Sequence, residues 1–499
     1  MQVFNVQYNT IQEFERYLDT QNIQDGDNLL LQIFTSINDE EIIAALLQDI
    51  TKLLPRAQIV GATTDGEICN EKVMTHTTVI SISIFEKTKL KTALVTNVND
   101  SKKMGQEMAQ ELLCQDTKLI ITFADGLYTN GEEYLQGLAS VDEKVIVAGG
   151  MAGDYATFSA TYVFTRDKIV SNGAVGVSLS NKELMVFTDY NFNWLTLGRD
   201  MIITHVEKNR IYTIDGISAY DIYKKYLGEE TAQQLPAIGI EYPLVIKKDG
   251  KRIARAVLAR HDDGSLSCAG NLSNGDIVHF GYGDAASILH SSVVSQNKLL
   301  SQPVEAIFDY SCMVRRRFMP DLSNEEIEPL NKIAPTADFF TYGEFFSSQG
   351  SKKLLNQTMT VLALSESQKI VFSKPLKQIT NTRLNDYQKS IRALSHLLSA
   401  TIHDLNEENN ALNNNVAKLH AKEESLCLAQ EIGHFGSWDI HLITKETLSS
   451  QESYNIYKVD KSVKPTLDTF LSRMVQVKMR SIGSQNQELS FKQIPLFLS

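Results

Sequence analysis

At 499 residues the chain holds sequence for about three domains, and its 43% hydrophobic and 22% charged residues mark a globular protein rather than a disordered one. The net charge of −12 repels phosphate backbones and argues against nucleic acid as a partner. Five scattered cysteines without a C-x-x-C pair fit reduced thiols of the cytoplasm, and neither a signal peptide nor an apolar stretch of about 18 residues is present to suggest export or a membrane helix.

The chain opens on mixed α/β patterning. LLLQIFT (29–35) reads as a buried strand. A helix follows, with Asn38 as its expected cap, Glu41 three residues on, Ile43, Leu46, Leu47, Ile50 and Leu54 at helical spacing, and Pro55 ending it. QIVGAT (58–63) is the next strand. TVISISIF (78–85) alternates isoleucine with Ser81 and Ser83, which predicts a half-buried strand with LKTALVTN (90–97) as its hairpin or meander neighbour. A helix over 101–114, a strand over 118–124 and a short helix over 131–140 come next. VIVAGG, TYVFTRD, GAVGVSLS and LMVFTDY then form strands with little helix between them, so a parallel half is expected to grade into an antiparallel half. Beyond a helix at Ser218–Leu227, strands are expected at 243–248, 253–260, 276–281, 305–310 and 359–364, with a tight turn at His261–Gly264.

Leu384, Ile391, Leu398, Leu405, Leu412, Leu419 and Leu426 repeat every seven residues. From 398 onward Ile402, Asn409 and Val416 occupy the companion positions. Leucine at d with β-branched residues and one Asn at a predicts a parallel two-stranded coil, roughly 65 Å long at 1.5 Å per residue. Before 398 the companions shift to Tyr387 and Leu394, a local change of phase. After the coil, two short strands around Trp438 and Leu442 precede a helix near Gln451–Tyr457.

Several loops are placed to hold a ligand. Thr64 and Asp65 follow one strand, Asp125 and Gly126 another, and Gly149, Gly150 and Asp154 a third. The glycines at 149–153 imitate a dinucleotide loop, but the helix that such a site needs does not follow; a tight bend or close backbone approach to a ligand is the better reading. No nucleophile elbow, Walker loop or paired-histidine metal motif occurs, so catalysis is not expected. His205, His261, His279 and His290 are the lone histidines available as an axial haem ligand. Arg315 stands three residues after Cys312 and would lower its thiol pKa if that thiol were exposed.

The ordered motifs GATTDGEI (61–68), FADGLYTNGEEYLQGL (123–138), VAGGMAGDYATF (147–158), GAVGVSLS (173–180), FDYSCMVRR (308–316) and FFTYGEF (339–345), with the long segments 193–228 and 252–280, closely resemble the FIST family of signal-transduction sensors over the first 365 residues. The resemblance implies a module that binds small molecules such as amino acids; some relatives are reported as haem proteins that sense nitric oxide. The tail from Leu428 resembles the opening of a PAS domain through AQEIGHFGSWDI, LSSQESYNIYKV and LDTFLSRM. No GGDEF, EAL or kinase nucleotide box follows, so an output protein is expected to be a separate partner, or the chain is cut short.

These readings combine into a mixed-sheet α/β sensory module in two parts, 1–220 (FIST N-like) and 221–370 (FIST C-like), a coiled-coil linker over 378–428 and a partial PAS-like α+β domain over 429–499. The expected protein is a cytoplasmic homodimer that binds a small ligand through Thr64, Asp65, Asp125, Gly126, Gly149, Gly150, Asp154, Cys312, Arg315, Tyr342 and Glu344 and relays the event along the coil. The alternative is a haem-based nitric oxide sensor acting on a partner kinase or cyclic-di-GMP enzyme.

Overall fold

The computed structural model describes residues 1–96, 99–248, 250–320, 322–348, 350–370, 386–441 and 447–460. Contacts divide the chain into Met1–Leu398 and Ser399–Ser499.

The first unit is built from one topological motif used three times. In the first copy, strand Gln2–Gln7 leads through helix Ile11–Thr20 to strand Leu29–Thr35, then through helix Glu40–Leu53 to strand Gln58–Thr63, a small hairpin (Glu67–Cys69 and Lys72–Met74) and a returning strand Thr78–Ile84. The second copy repeats this order from Lys89–Thr96 to Gly173–Ser180. The third runs from Met185–Asn191 to Met359–Ser365, and a lobe over 195–282 is spliced in after its first strand.

Each copy contains one parallel pair: Leu31 beside Ile59, Ile121 beside Ala148, and Phe308 beside Ala337. The returning strand lies antiparallel to the first member of that pair, with the copy's opening strand on its other side. The hairpin is exported. The first copy's hairpin joins the third copy's sheet at Phe339, the second's joins the first at Ala62, and the third's joins the second at Gly150. Three six-stranded sheets result, and each depends on its neighbour for an edge. Parallel pairing therefore recurs along the chain and does not give way to an antiparallel half. A division of the sequence at 220 crosses two of these sheets.

The sheets share one core. Phe34, Phe123 and Phe339, one from each sheet, stand with ring centroids 5.0–5.7 Å apart and are wholly buried. Each such ring contributes about 2–3 kcal/mol of burial and favours edge or offset contacts. On the outer face of the first sheet, Ile43, Leu46, Leu47 and Ile50 of the helix cover Leu31 and Ile33, as their helical spacing requires.

Several local expectations change. The helix is capped by Asp39, whose Oδ1 accepts from the amides of Glu41 (2.9 Å) and Ile42 (3.1 Å); Asn38 lies one residue too early. Ser81 and Ser83 are fully buried, because they stand opposite Gln32 and Leu30 on the face that carries Phe34 into the shared core. Lys89–Thr96 pairs with Gly173–Ser180 and not with the strand before it. Gly149 and Gly150 lie inside strand Ile146–Met151. A Cβ on Gly149, whose φ is +130°, would sit 2.0 Å from the Thr122 carbonyl oxygen, so glycine there permits close strand approach. The turn at His261–Gly264 connects Val257–Arg260 to Leu266–Cys268 as expected.

The spliced lobe carries an eight-stranded sheet and helix Ala219–Leu227 around its own core of Ile203, Ile211, Ile222, Tyr223, Leu244 and Val278. Its long strand Leu195–Glu207 escaped the sequence reading, because Gly198, Arg199 and Asp200 interrupt the alternation.

Helix Asp386–Gly433 has 48 residues. Leu405, Leu412, Leu419 and Leu426 are each more than half exposed on the single chain. Leu398 is 45% exposed, and Asn409 is exposed too. Leu384 lies outside the described residues, and only the backbone of Ile391 is described. Strands Trp438–Ile440 and Thr447–Ser449 pair ahead of helix Gln451–Tyr457, which Ser450 caps. Leu442 and the LDTFLSRM segment fall outside the described residues. No helix among the described residues is long and apolar enough to cross a membrane.

Candidate functional site

Ligands of α/β sheets commonly sit beyond the carboxyl ends of parallel strands. Here the second strand of all three parallel pairs ends in one place. A cycle of backbone hydrogen bonds links the three loops: Asp65 N to Phe340 O (3.0 Å), Tyr342 N to Met151 O (3.1 Å) and Gly153 N to Thr63 O (2.9 Å). The loops are variants of one another. Thr64 Oγ1 donates to Glu67 Oε1 at 2.5 Å, and Thr341 Oγ1 donates to Glu344 Oε1 at 2.8 Å. By the same cycle Ala152 holds the place of Thr64 and Thr341 in the second copy. The expected convergence of the loops at 61–67, 125–131 and 149–154 is therefore present, and the loop at 340–344 completes it. Gly126 lies at the same junction, where its Cα abuts the Ala152 carbonyl.

The carboxylates at this junction have distinct settings. Asp65 is fully buried and held by Arg316 Nη2 (2.6 Å) and by Arg317 Nη2 (2.9 Å) and Nε (3.2 Å). Asp154 accepts from the amides of Phe158 (3.0 Å), Ser159 (2.7 Å) and Ala160 (3.2 Å) and from the hydroxyls of Thr157 and Tyr342. Burial opposes its ionisation, but these donors outweigh burial and lower its pKa. Asp125 spends its oxygens on its own turn, accepting from the amides of Leu127, Tyr128, Thr129 and Gly173. Burial pushes Glu67 up to about 7 and Glu344 up to about 8, against the hydroxyl donors that favour their charged forms.

Cys312 and Arg315 do not form the activated thiol that their spacing allowed. Cys312 is buried beside Glu344, and desolvation raises its thiol well above the usual range. Arg315 points elsewhere, into a buried ion pair with Glu326, and donates to the carbonyls of Asn191 and Gln357 at 3.3 Å each.

Asp154 and the Tyr342 hydroxyl, which accepts from the amides of Asp154 (3.1 Å) and Ala156 (2.8 Å), hold an unusual loop. Tyr155, Ala156 and Phe158 all have positive φ, from 49° to 58°. Non-glycine residues in that region cost about 1 kcal/mol or more each and concentrate at functional sites. The lobe reaches the same place: Phe192, Trp194, Val245 and Ala254 pack with Cys312, Met313 and Val314, and Ala156, Phe318 and Tyr342 lie against this cluster. Arg316, Arg317, Tyr155 and Trp194 were not picked out as site residues in the sequence. The arginine triplet 315–317 was visible there, but which of its members faces the loops depends on the turn of a six-residue helix.

Two grooves lie away from this junction. A groove of about 520 Å³ runs between helix Glu40–Leu53 and the segment Arg166–Ile169, and one of about 220 Å³ lies on the other side of that segment. The four candidate histidines do not fit a haem. His205 is exposed and stacks on Tyr212, His261 bonds Ser267 at 2.8 Å, His279 bonds Asp200 at 2.7 Å and His290 is exposed. None lines any of these grooves.

The Glu344 setting gives a measurable pH dependence. Its folded pKa lies above the value of a free carboxyl, so the native state binds the extra proton between about pH 4.5 and 8, and stability falls as pH rises through that window. Glu344→Gln is expected to flatten the decline by up to about 1.4 kcal/mol per pH unit, read by urea denaturation at pH 5 to 8. An unchanged slope would mean that Glu344 is ionised in the native protein.

Three loops tied to one another at the ends of parallel strands, with residues of the spliced lobe packed against them, are thus the frame of the first unit. The FIST N domain matches residues 29–217 and the FIST C domain residues 219–347. Together they run end to end over 29–347, and the chain belongs to the FIST family. FIST domains are associated with sensory signal transduction. No curated protein matches the chain.

Proposed function

We propose that this protein is a sensor that binds a small metabolite, of the amino-acid class or a relative of it, at the junction of the three loops, and that passes the event to a partner protein through a paired helix. The observation that carries the reading is the loop at 154–158. Three consecutive-region residues are held in left-handed conformations by Asp154 and Tyr342, beneath the lobe's apolar cluster and beside two arginines. Strain of this kind is maintained where a surface must be presented in one shape. Ligand seated between loops and lobe would favour one relation of the two, a population shift that the attached helix can report.

A thermal-shift screen of amino acids and related metabolites on the full chain tests the binding step. A true ligand at about one hundred times its Kd adds about 2.7 kcal/mol to stability. A screen in which every compound leaves the melting point unmoved would remove the reading. The relay is tested by cysteine trapping with Leu405→Cys, in a background where the exposed Cys114 and Cys427 are replaced by serine. Trapping rates are expected to differ with and without ligand; equal rates would argue against a signal carried by the helix.

A further inference from the structure

We propose that Arg316 and Arg317 form an anion subsite that takes the carboxylate of a small organic acid, with the acid's apolar body lying against Phe158; this rests on the small-ligand reading above and names the chemistry of that ligand. Two guanidinium groups share one buried carboxylate, Asp65, at the loop junction. The side chain of Arg316 is 12% exposed and that of Arg317 37%, so the pair faces an opening while its counter-ion does not.

The guanidinium groups have bonding capacity left over. Arg316 Nε is buried with no hydrogen-bond partner among the described residues. Arg317 spends Nε and Nη2 on Asp65 and on the Tyr155 carbonyl at 3.1 Å, which leaves Nη1 to donate outward. The neighbouring acids do not occupy these donors: the oxygens of Asp154 are bonded within its own loop and to Tyr342, and those of Glu67 to Thr64 and Thr77. The Tyr155 ring lies beneath both arginines, 5.2 and 5.5 Å from their Cζ atoms, with the His76 ring tilted against it at 4.2 Å. That packing fixes the planar forks, and planar forks match a carboxylate in two-point contact. With Asp65 and the ionised Asp154 both at the junction, a monocarboxylate meets less repulsion there than a phosphate dianion. Phe158, three residues after Tyr155 in the same loop, is 49% exposed and lies tilted against Tyr342 at 5.2 Å, which offers an apolar surface on that loop.

The test uses the full chain with benzoate, acetate, inorganic phosphate and the neutral benzamide as probes, against chloride at equal ionic strength. Titration calorimetry and melting are expected to rank benzoate above acetate, with phosphate and benzamide near chloride. Arg317→Gln is expected to weaken benzoate by at least about tenfold, the loss of one charge-assisted hydrogen bond, and Arg317→Lys to recover part of it. The melting point of each variant without probe reports whether it folds, and Arg316 still holds Asp65 in both. Benzamide binding as tightly as benzoate would overturn the anion subsite while leaving a small-ligand site in place. Phosphate binding tightest, or benzoate affinity unchanged in Arg317→Gln, would also overturn it. Failure of all four probes to bind would overturn it as well, and the metabolite screen would then decide the broader reading by itself.

Discussion

Arg315→Met is expected to cost about 3–5 kcal/mol of folding stability, because it strands Glu326 in a site where the carboxylate is 3% exposed. Glu326 would keep the Ser292 hydroxyl at 2.5 Å but lose both guanidinium contacts. The carbonyls of Asn191 and Gln357 would each lose a donor. The double change Arg315→Met with Glu326→Met removes both charges and is expected to regain much of the loss, since a buried pair replaced as a unit is often close to neutral. Urea denaturation of the two variants measures this. A single variant within about 1 kcal/mol of the parent would show that the pair is solvated in the native protein. The same experiment bears on Cys312. With Arg315 committed to Glu326, alkylation of that thiol should be slow in the parent and no slower in the variant.

Leu412→Lys with Leu419→Lys is expected to convert a dimer into monomers, with a shift of more than about a hundredfold in the dissociation constant. Each leucine is about 60% exposed on the isolated chain. Pairing would bury the row, at about 25 cal/mol per Å² of apolar surface, and lysine in the seam would oppose it by charge repulsion and desolvation. Sedimentation equilibrium of parent and variant distinguishes the states. A parent that sediments as one subunit at high concentration would leave the row without a partner of its own kind. The sensory unit should melt alike in parent and variant, because its three sheets close among residues 2–365.

Most strands of the first unit are legible because their apolar runs are short and bounded by turn residues. Leu29–Thr35, Gln58–Thr63 and Met359–Ser365 fall within a residue or two of where patterning puts them. The site is legible only in part. Thr64, Asp65, Gly126, Asp154 and Tyr342 do meet at one junction, whereas Arg315 belongs to a structural pair and Asp125 to its own turn. Arg316 and Arg317, and not Arg315, are the members of the triplet that reach the loop junction. On a helix of six residues a shift of one position turns the side chain by about 100°, enough to move it from the loop junction to the buried face.

What the amino-acid order determines alone is local: where strands and helices begin, the alternation that buries one face, and the seven-residue row from Leu398 to Leu426. These follow from backbone periodicity, which needs no knowledge of a distant partner. Tertiary structure alone decides which strands pair. Ser81 and Ser83 pattern as the open face of a half-buried strand but face the shared core, and three hairpins each complete the sheet of another copy. Strand pairing is made by hydrogen bonds between backbones that are alike in every residue, so the side-chain pattern marks a strand without naming its neighbour. The loop junction is a product of that exchange, because its three loops are separated by dozens of residues and meet only when the sheets close.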